Sequence, residues 1–229
     1  MSNNALISAD GTYGMLATWI ECVRRANITN FMVIALDDET GKSLDAVNVS
    51  YWKVTPKTLA DNNRDNHGIS SQKFHLLREF LLLGYSVFLS DVDVAWLQNP
   101  FLSIKRDSDI EGLSDGYDER TAYGYVDGID DPSMGWARYA QTIRIFVLNS
   151  GLFYMRASDR TVDLMDKISD HLANHKDWDQ TVFNEKIWYP SHGDYKSAQV
   201  TVRVLDHLLY MNSKTLFKFQ RRASAPNRP

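Results

Sequence analysis

Residues 85–100, YSVFLSDVDVAWLQNP, constrain this chain more than any other stretch. They follow a helical pattern over residues 70–83, with Phe74, Leu77 and Leu81 as its apolar stripe and Gly84 at its end. Glycine is favoured just past the last turn of a helix. Val87, Phe88 and Leu89 then form a short run of strand-forming residues, which predicts a buried central strand. The run ends in Ser90, Asp91, Val92 and Asp93. Two carboxylates one residue apart at such a strand end sit where open α/β sheets place their ligand crevice. Carboxylate oxygens suit Mg²⁺ or Mn²⁺, which keep several waters and take substrate phosphates as further ligands.

The spacing alone is weak evidence. The chain holds 23 Asp among 229 residues, so chance gives about two such pairs. Three occur: Asp91/Asp93, Asp107/Asp109 and Asp177/Asp179. Only the first follows an apolar strand. The other two read as solvated loop acids, because Asp is rarely buried. Charges at a buried strand end need a partner.

Around this centre, strand and helix patterns alternate. Residues 5–9 form a weak first strand. Residues 13–26 have helical spacing, with Leu16, Ile20 and Val23 near one side and Asn27 at the stop. Residues 31–36 read as a strand ending in Asp37, Asp38 and Glu39, acids that could meet a nucleotide but more plainly make a turn. Residues 47–54 suggest a third strand, and residues 58–68 a polar loop. Lys73 falls in the first turn of the predicted 70–83 helix, where a cation is poorly placed for the helix dipole and hints at an anion nearby. Residues 109–114 form another strand.

The acidic, aromatic segment 115–136 reads as a loop, and a loop of that length is often a functional lid. Strands at 143–148 and 152–155 are broken by Asn149-Ser150-Gly151, which reads as a turn. An amphipathic helix spans 159–175, and a shorter one lies within 177–188. Strands at 199–205 and 217–219 close the pattern. The whole predicts one α/β domain, a sandwich with a mostly parallel sheet flanked by helices.

Composition narrows the function. The apolar fraction of 44% and charged fraction of 24% are those of a globular protein. A net charge of −4 without a basic stripe argues against nucleic acid as a partner. One cysteine, Cys22, excludes an internal disulfide. No apolar run is long enough to span a membrane. His171 and His175 stand four apart on a helix, but no third zinc ligand accompanies them, and a solvated helix end is the plainer reading. An apolar strand followed by D-x-D-x-V also fits haloacid-dehalogenase-type phosphatases, with Asp91 as nucleophile and Asp93 as acid/base. Their further acidic pair is missing, since Asp130-Asp131 follows no apolar strand. A non-catalytic binding domain is a further alternative.

Taken together, KFHLLREFLLLGYSVFLSDVDVAWLQNPF, LNSGLFYMRAS and WDQTVFNE resemble the nucleotide-diphospho-sugar transferases of glycosyltransferase family 77. The late segments DQTVFNEKIWYPSHGDY and RVLDHLLYMNSKTLFKFQRR are similar to plant and algal hydroxyproline O-arabinosyltransferases of the reduced-residual-arabinose type. The resemblance runs from about Ser8 to Arg222 and keeps its blocks in order.

It implies a GT-A-like three-layer sandwich, a UDP-sugar donor, Mn²⁺ or Mg²⁺, and retention at the anomeric carbon. It implies transfer of a sugar, arabinose by analogy, to a hydroxyproline-rich glycoprotein or glycan in the Golgi lumen. By the same resemblance Asp91 and Asp93 hold the metal, with Asp91 also on the ribose side of the nucleotide. Asn149, Ser150 and Gly151 lie beside the donor sugar. Asp179 and Gln180 match a D-Q pair near the anomeric carbon, with Asp179 as nucleophile and Gln180 as stabiliser; the alternative is that Asp179 merely caps the helix 180–186. Lys73 matches a basic residue before the D-x-D strand. The aromatic side chains Tyr117, Tyr123, Tyr125 and Trp136 are expected to face the acceptor. Family members carry an N-terminal membrane anchor and continue into a His-x-Asn-Tyr-His segment. Neither lies in this chain, so it is expected to be truncated.

Overall fold

The computed structural model describes residues 14–54, 66–124 and 147–219. The weak strand at 5–9, Tyr125, Trp136, most of the 143–148 strand and most of the 58–68 loop lie outside them. The elements run α1 (Met15–Arg25), β1 (Val33–Ala35), α2 (Asp38–Ala46), β2 (Tyr51–Lys53), α3 (Asn66–Leu82), β3 (Val87–Ser90), β4 (Ile110–Ser114), α4 (Glu119–Ala122), β5 (Leu148–Met155), α5 (Asp159–Asn174), α6 (Asp179–Trp188) and β6 (Val202–Val204).

Helix ends follow local rules. Asn27, Asn48 and Gly84 all take left-handed backbone just past α1, α2 and α3. At each, the next two N–H groups return to the last turn: Asn27 to Arg24 and Ile28 to Val23, Asn48 to Asp45 and Val49 to Leu44, Gly84 to Leu81 and Tyr85 to Phe80. This double return satisfies carbonyls that the helix leaves open. Helix α2 corrects the turn expected at residues 37–39. Asp37 is its N-cap, accepting the Thr40 N–H at 2.6 Å. Asp38 is ion-paired with Lys53. Residues 66–68, expected as loop, belong to α3. The strand expected at 217–219 is a helical turn over Lys214–Phe219.

The α/β reading holds, but the sheet is mixed. Among the described residues a four-stranded sheet has the order β3-β5-β4-β6. β5 is antiparallel to both β3 and β4, and only β4 and β6 are parallel there. β1 and β2 form a separate parallel pair. β3, expected to be central, is an edge strand of that sheet, and Val87, Phe88 and Ser90 are half-buried. β5 is the central buried strand and runs without a break through Asn149, Ser150 and Gly151, the expected turn. Its pairing with β4 nevertheless jumps there. Gly112 faces Phe153 while Ser114 faces Leu148, so Asn149 to Leu152 bulge opposite Leu113 alone.

Helices cover both faces of the sheet. Leu152 and Tyr154 of β5 pack with Leu16, Trp19, Ile20 and Val23 of α1. Phe153 and Met155 pack with Phe74 of α3, Leu164 and Ile168 of α5 and Phe183 of α6. The period of two along β5 divides the apolar residues between the two cores. Phe183 stacks on Phe74 and Phe153, with ring centroids at 5.7 and 4.9 Å.

Candidate functional site

The antiparallel pairing of β3 and β5 brings the end of one to the start of the other. Asp91, just past β3, donates its N–H to the Gly151 carbonyl at 2.7 Å. β4 ends on the same edge, at Ser114, and Asp115 follows. α6 begins there with Asp179 and Gln180. Lys73 reaches the edge from α3. Asp91, Asn149, Ser150, Gly151, Asp179, Gln180 and Lys73, widely spaced in sequence, thus form one cluster.

Lys73 and Asp179 form a buried ion pair, 6% and 7% exposed. The Lys73 Nζ donates to Asp179 Oδ2 at 2.7 Å and to the Ser150 carbonyl at 2.9 Å. It also lies 5.1 Å from the centroid of the Phe74 ring. The other Asp179 oxygen accepts the Gln180 N–H at 2.8 Å. Two sequence readings are corrected here. α3 starts at Asn66, so Lys73 is not in a first turn, and the anion it faces is Asp179. Asp179 is a buried partner of Lys73 rather than a solvated acid, and the N-cap of α6 is Trp178.

A second network fixes the amides. Asp115 accepts from Asn149 Nδ2 at 3.1 Å and from Gln180 Nε2 at 2.6 Å. The Gln180 amide oxygen faces the Ser150 N–H at 3.3 Å, and Asn149 Oδ1 accepts the Gly151 N–H at 2.8 Å. Asn184, one turn along α6, exchanges two hydrogen bonds of 2.8 Å with the Leu148 backbone. Sequence reasoning missed both Asp115 and Asn184. Asn184 stands in the matched WDQTVFNE block, where its spacing from Gln180 on one helix face was the available signal.

Asp91 and Asp93 differ in setting. Asp91 is half-buried and Asp93 exposed. Burial raises the Asp91 pKa above the ordinary carboxylate value. The Lys73 charge opposes that rise, and the charges of Asp93 and Asp179 add to it. Among the described residues no side-chain hydrogen bond reaches the Asp91 carboxylate, which packs directly over Gly151. A Cβ at that glycine would lie 2.5 Å from Asp91 Oδ2 and 3.0 Å from Asn149 Oδ1. Only a residue without a side chain permits this approach. A desolvated carboxylate beside a second one suits a divalent cation. No group of three His, Cys, Asp or Glu side chains that could hold a metal occurs among the described residues. A cation on Asp91 and Asp93 would therefore draw its other ligands from water and substrate, as Mg²⁺ and Mn²⁺ commonly do.

Other expected features fall elsewhere. His171 bonds Asp177 Oδ2 at 2.7 Å on the far end of α5. Asp109, read as a solvated acid, is fully buried in a structural network. Of the aromatics expected to face an acceptor, Tyr117 and Tyr123 are described. The Tyr123 hydroxyl accepts the His207 N–H at 3.3 Å, and the two rings meet edge to face at 5.4 Å. Among the described residues no helix is long and apolar enough to cross a membrane.

A model of the nucleotide-diphospho-sugar transferase family matches residues 26–226. The chain is 48% identical over 211 residues to Arabinosyltransferase RRA2 of Arabidopsis thaliana, an alignment covering 91% of the chain and 49% of that protein. It is 44% identical over 211 residues to Arabinosyltransferase RRA1 of the same plant, covering 91% and 52%. Beta-arabinofuranosyltransferase RAY1 is 28% identical over 214 residues, covering 86% and 36%. The chain spans about half the length of RRA2 and RRA1. No solved structure matches it. A family model that covers most of the chain, and whose matched region holds every residue of the cluster, places this protein in the nucleotide-diphospho-sugar transferase family.

Proposed function

We propose that this chain is the sugar-transferring domain of a retaining arabinosyltransferase. It would use a UDP-sugar donor, a divalent cation, and a hydroxyproline-rich glycoprotein or glycan acceptor in the Golgi lumen. The convergence of Asp91, the Asn149–Gly151 bulge and the Asp179-Gln180 pair at one sheet edge carries the reading. The arabinosyltransferase relatives supply the sugar class. Family membership removes the phosphatase alternative.

Asp91 and Asp93 would hold Mn²⁺ or Mg²⁺. When bound, the ion supplies charge stabilisation for the leaving diphosphate. The residues of the chain do the rest. Asn149 and Gln180 are locked by Asp115, so their amides need no rearrangement to meet developing charge. Asp179 is paired with Lys73, and a carboxylate beside the anomeric carbon would favour an oxocarbenium-like centre. Both Asp179 oxygens already accept hydrogen bonds. That engagement favours departure and attack on one face of the sugar over attack by Asp179 itself. Lys73 then acts by positioning Asp179 and Ser150, rather than by contacting the donor.

The test is UDP release with Mn²⁺, UDP-arabinose and a hydroxyproline peptide, alongside UDP-xylose and UDP-galactose. Release that needs both acceptor and metal supports the proposal. Tight UDP-sugar binding without turnover would instead indicate a non-catalytic binding domain.

A further inference from the structure

A concave site lies away from this cluster, towards the opposite end of β3. A cavity of about 520 Å³ opens between the end of α1, Ser86 and the 99–106 segment. Ser86 precedes β3 and Asp91 follows it, so the two sites are separated by roughly 16 Å at about 3.3 Å per strand residue. The wall carries Asn27, Thr29, Asn30, Asn99 and Arg106 beside the Phe101 ring.

The wall is held in place by Glu111 behind it and by hydrogen bonds among its own residues. Arg106 has a left-handed backbone, with φ 59°, a conformation that side chains rarely adopt. Glu111, fully buried in β4, secures it by accepting the N–H groups of Lys105 and Arg106. The guanidinium carbon then sits 5.8 Å from the Phe101 ring centroid. Asn99 ties the two sides together. Its Oδ1 accepts the Phe101 N–H at 3.0 Å, and its Nδ2 donates to the Asn27 carbonyl at 3.2 Å. Thr29 and Asn30 are exposed, and among the described residues their side chains make no hydrogen bond.

The chemistry of the wall selects a ligand class. Amides and hydroxyls present donors and acceptors together, as sugar hydroxyls do. A guanidinium presents paired donors that suit two neighbouring oxygens. Among the described residues Arg106 is the one charged residue of the lining, which is too little for a polyanion. The wall is too polar for an apolar ligand. We propose that this groove is a second carbohydrate site, for a neutral oligosaccharide, and that it works independently of the sheet-edge cluster.

Ligand-observed NMR titration with a neutral arabino-oligosaccharide tests it, with an oligogalacturonide and inorganic phosphate as parallel probes. The variants are Asn30→Ala, which removes an exposed amide, and Arg106→Gly, whose new residue suits the left-handed backbone. The neutral sugar should bind the wild-type chain. Arg106→Gly should weaken that binding by about tenfold, the size of one charge-assisted hydrogen bond, and Asn30→Ala by about threefold, that of a neutral one, while the UDP titration with Mn²⁺ stays unchanged. No neutral-sugar binding by the wild type, equal binding by the variants, or binding of the anionic probes alone would each overturn the proposal. Absence of UDP binding in every protein would count against the donor site only.

Discussion

Asp93 and Asp115 differ in what holds them. Asp93 is exposed and contributes little to packing. Asp93→Ala should therefore leave the melting temperature within about 2 °C, since surface changes rarely exceed ±0.5 kcal/mol, yet abolish Mn²⁺-dependent UDP binding. Calorimetric titration of UDP with and without Mn²⁺ decides it, and unchanged affinity would remove the metal from the mechanism. Asp115 reaches no metal in this reading but restrains two amides. Asp115→Ala should spare donor affinity and lower kcat by about a hundredfold, the scale of a misplaced reacting geometry. Asp179→Asn keeps the shape and removes the charge. It should cut turnover more than donor binding. If turnover per folded molecule is unchanged, the Lys73–Asp179 pair is purely structural.

At the scale of the element, the bulge in β5 matters most. Four residues facing Leu113 alone push Asn149 to Gly151 out of the regular ladder, so their polar groups meet Asp91, Asp115 and Gln180. Bulges re-aim side chains next to functional sites. Gly151→Ala would place a methyl group 2.5 Å from Asp91 Oδ2. Relief requires Asp91 to swing away, so UDP and Mn²⁺ binding should fall by at least tenfold while α5 and α6 stay folded. Circular dichroism and paired titrations check this, and wild-type binding by the alanine variant would show that the close approach is not needed.

The elements themselves were unevenly legible. Those with caps and apolar stripes, such as α1, α3 and α5, follow from sequence. α2 was missed because its nine residues, DETGKSLDA, carry little apolar patterning. Its signals were only the Asp37 cap and Asn48 stop. Phe217-Lys218-Phe219 alternates like a strand, yet sits in a helical turn.

Across the whole molecule, long-range pairing decided what could not be foreseen. Asp91 and Asp179 were expected at the candidate site because motif blocks carry them. Asp115 was not, because its partners lie 34 and 65 residues away. Asp109 was misread for the same reason: its partners come from three other segments. Arg156 follows β5, Arg160 lies in α5, and Thr201 precedes β6. Burial alone would raise the Asp109 pKa, but the Thr201 N–H and hydroxyl together with Arg156 and Arg160 hold it below the ordinary carboxylate value.

A carboxylate with a depressed folded pKa stabilises the fold fully above its unfolded pKa of about 3.9, and that stability is lost as pH falls through the folded value. Asp109→Asn keeps the volume and removes the ionisation. At pH 7 it should destabilise the chain by about 3 kcal/mol, the low end for breaking a buried pair, because both arginines remain about 40–50% exposed and can turn to water. As pH falls below about 3.9 and through the folded value, the wild type should lose that advantage, so the two urea midpoints converge. Midpoints that stay parallel over this range would mean that another carboxylate governs acid unfolding, and that Asp109 joins its four segments by shape alone.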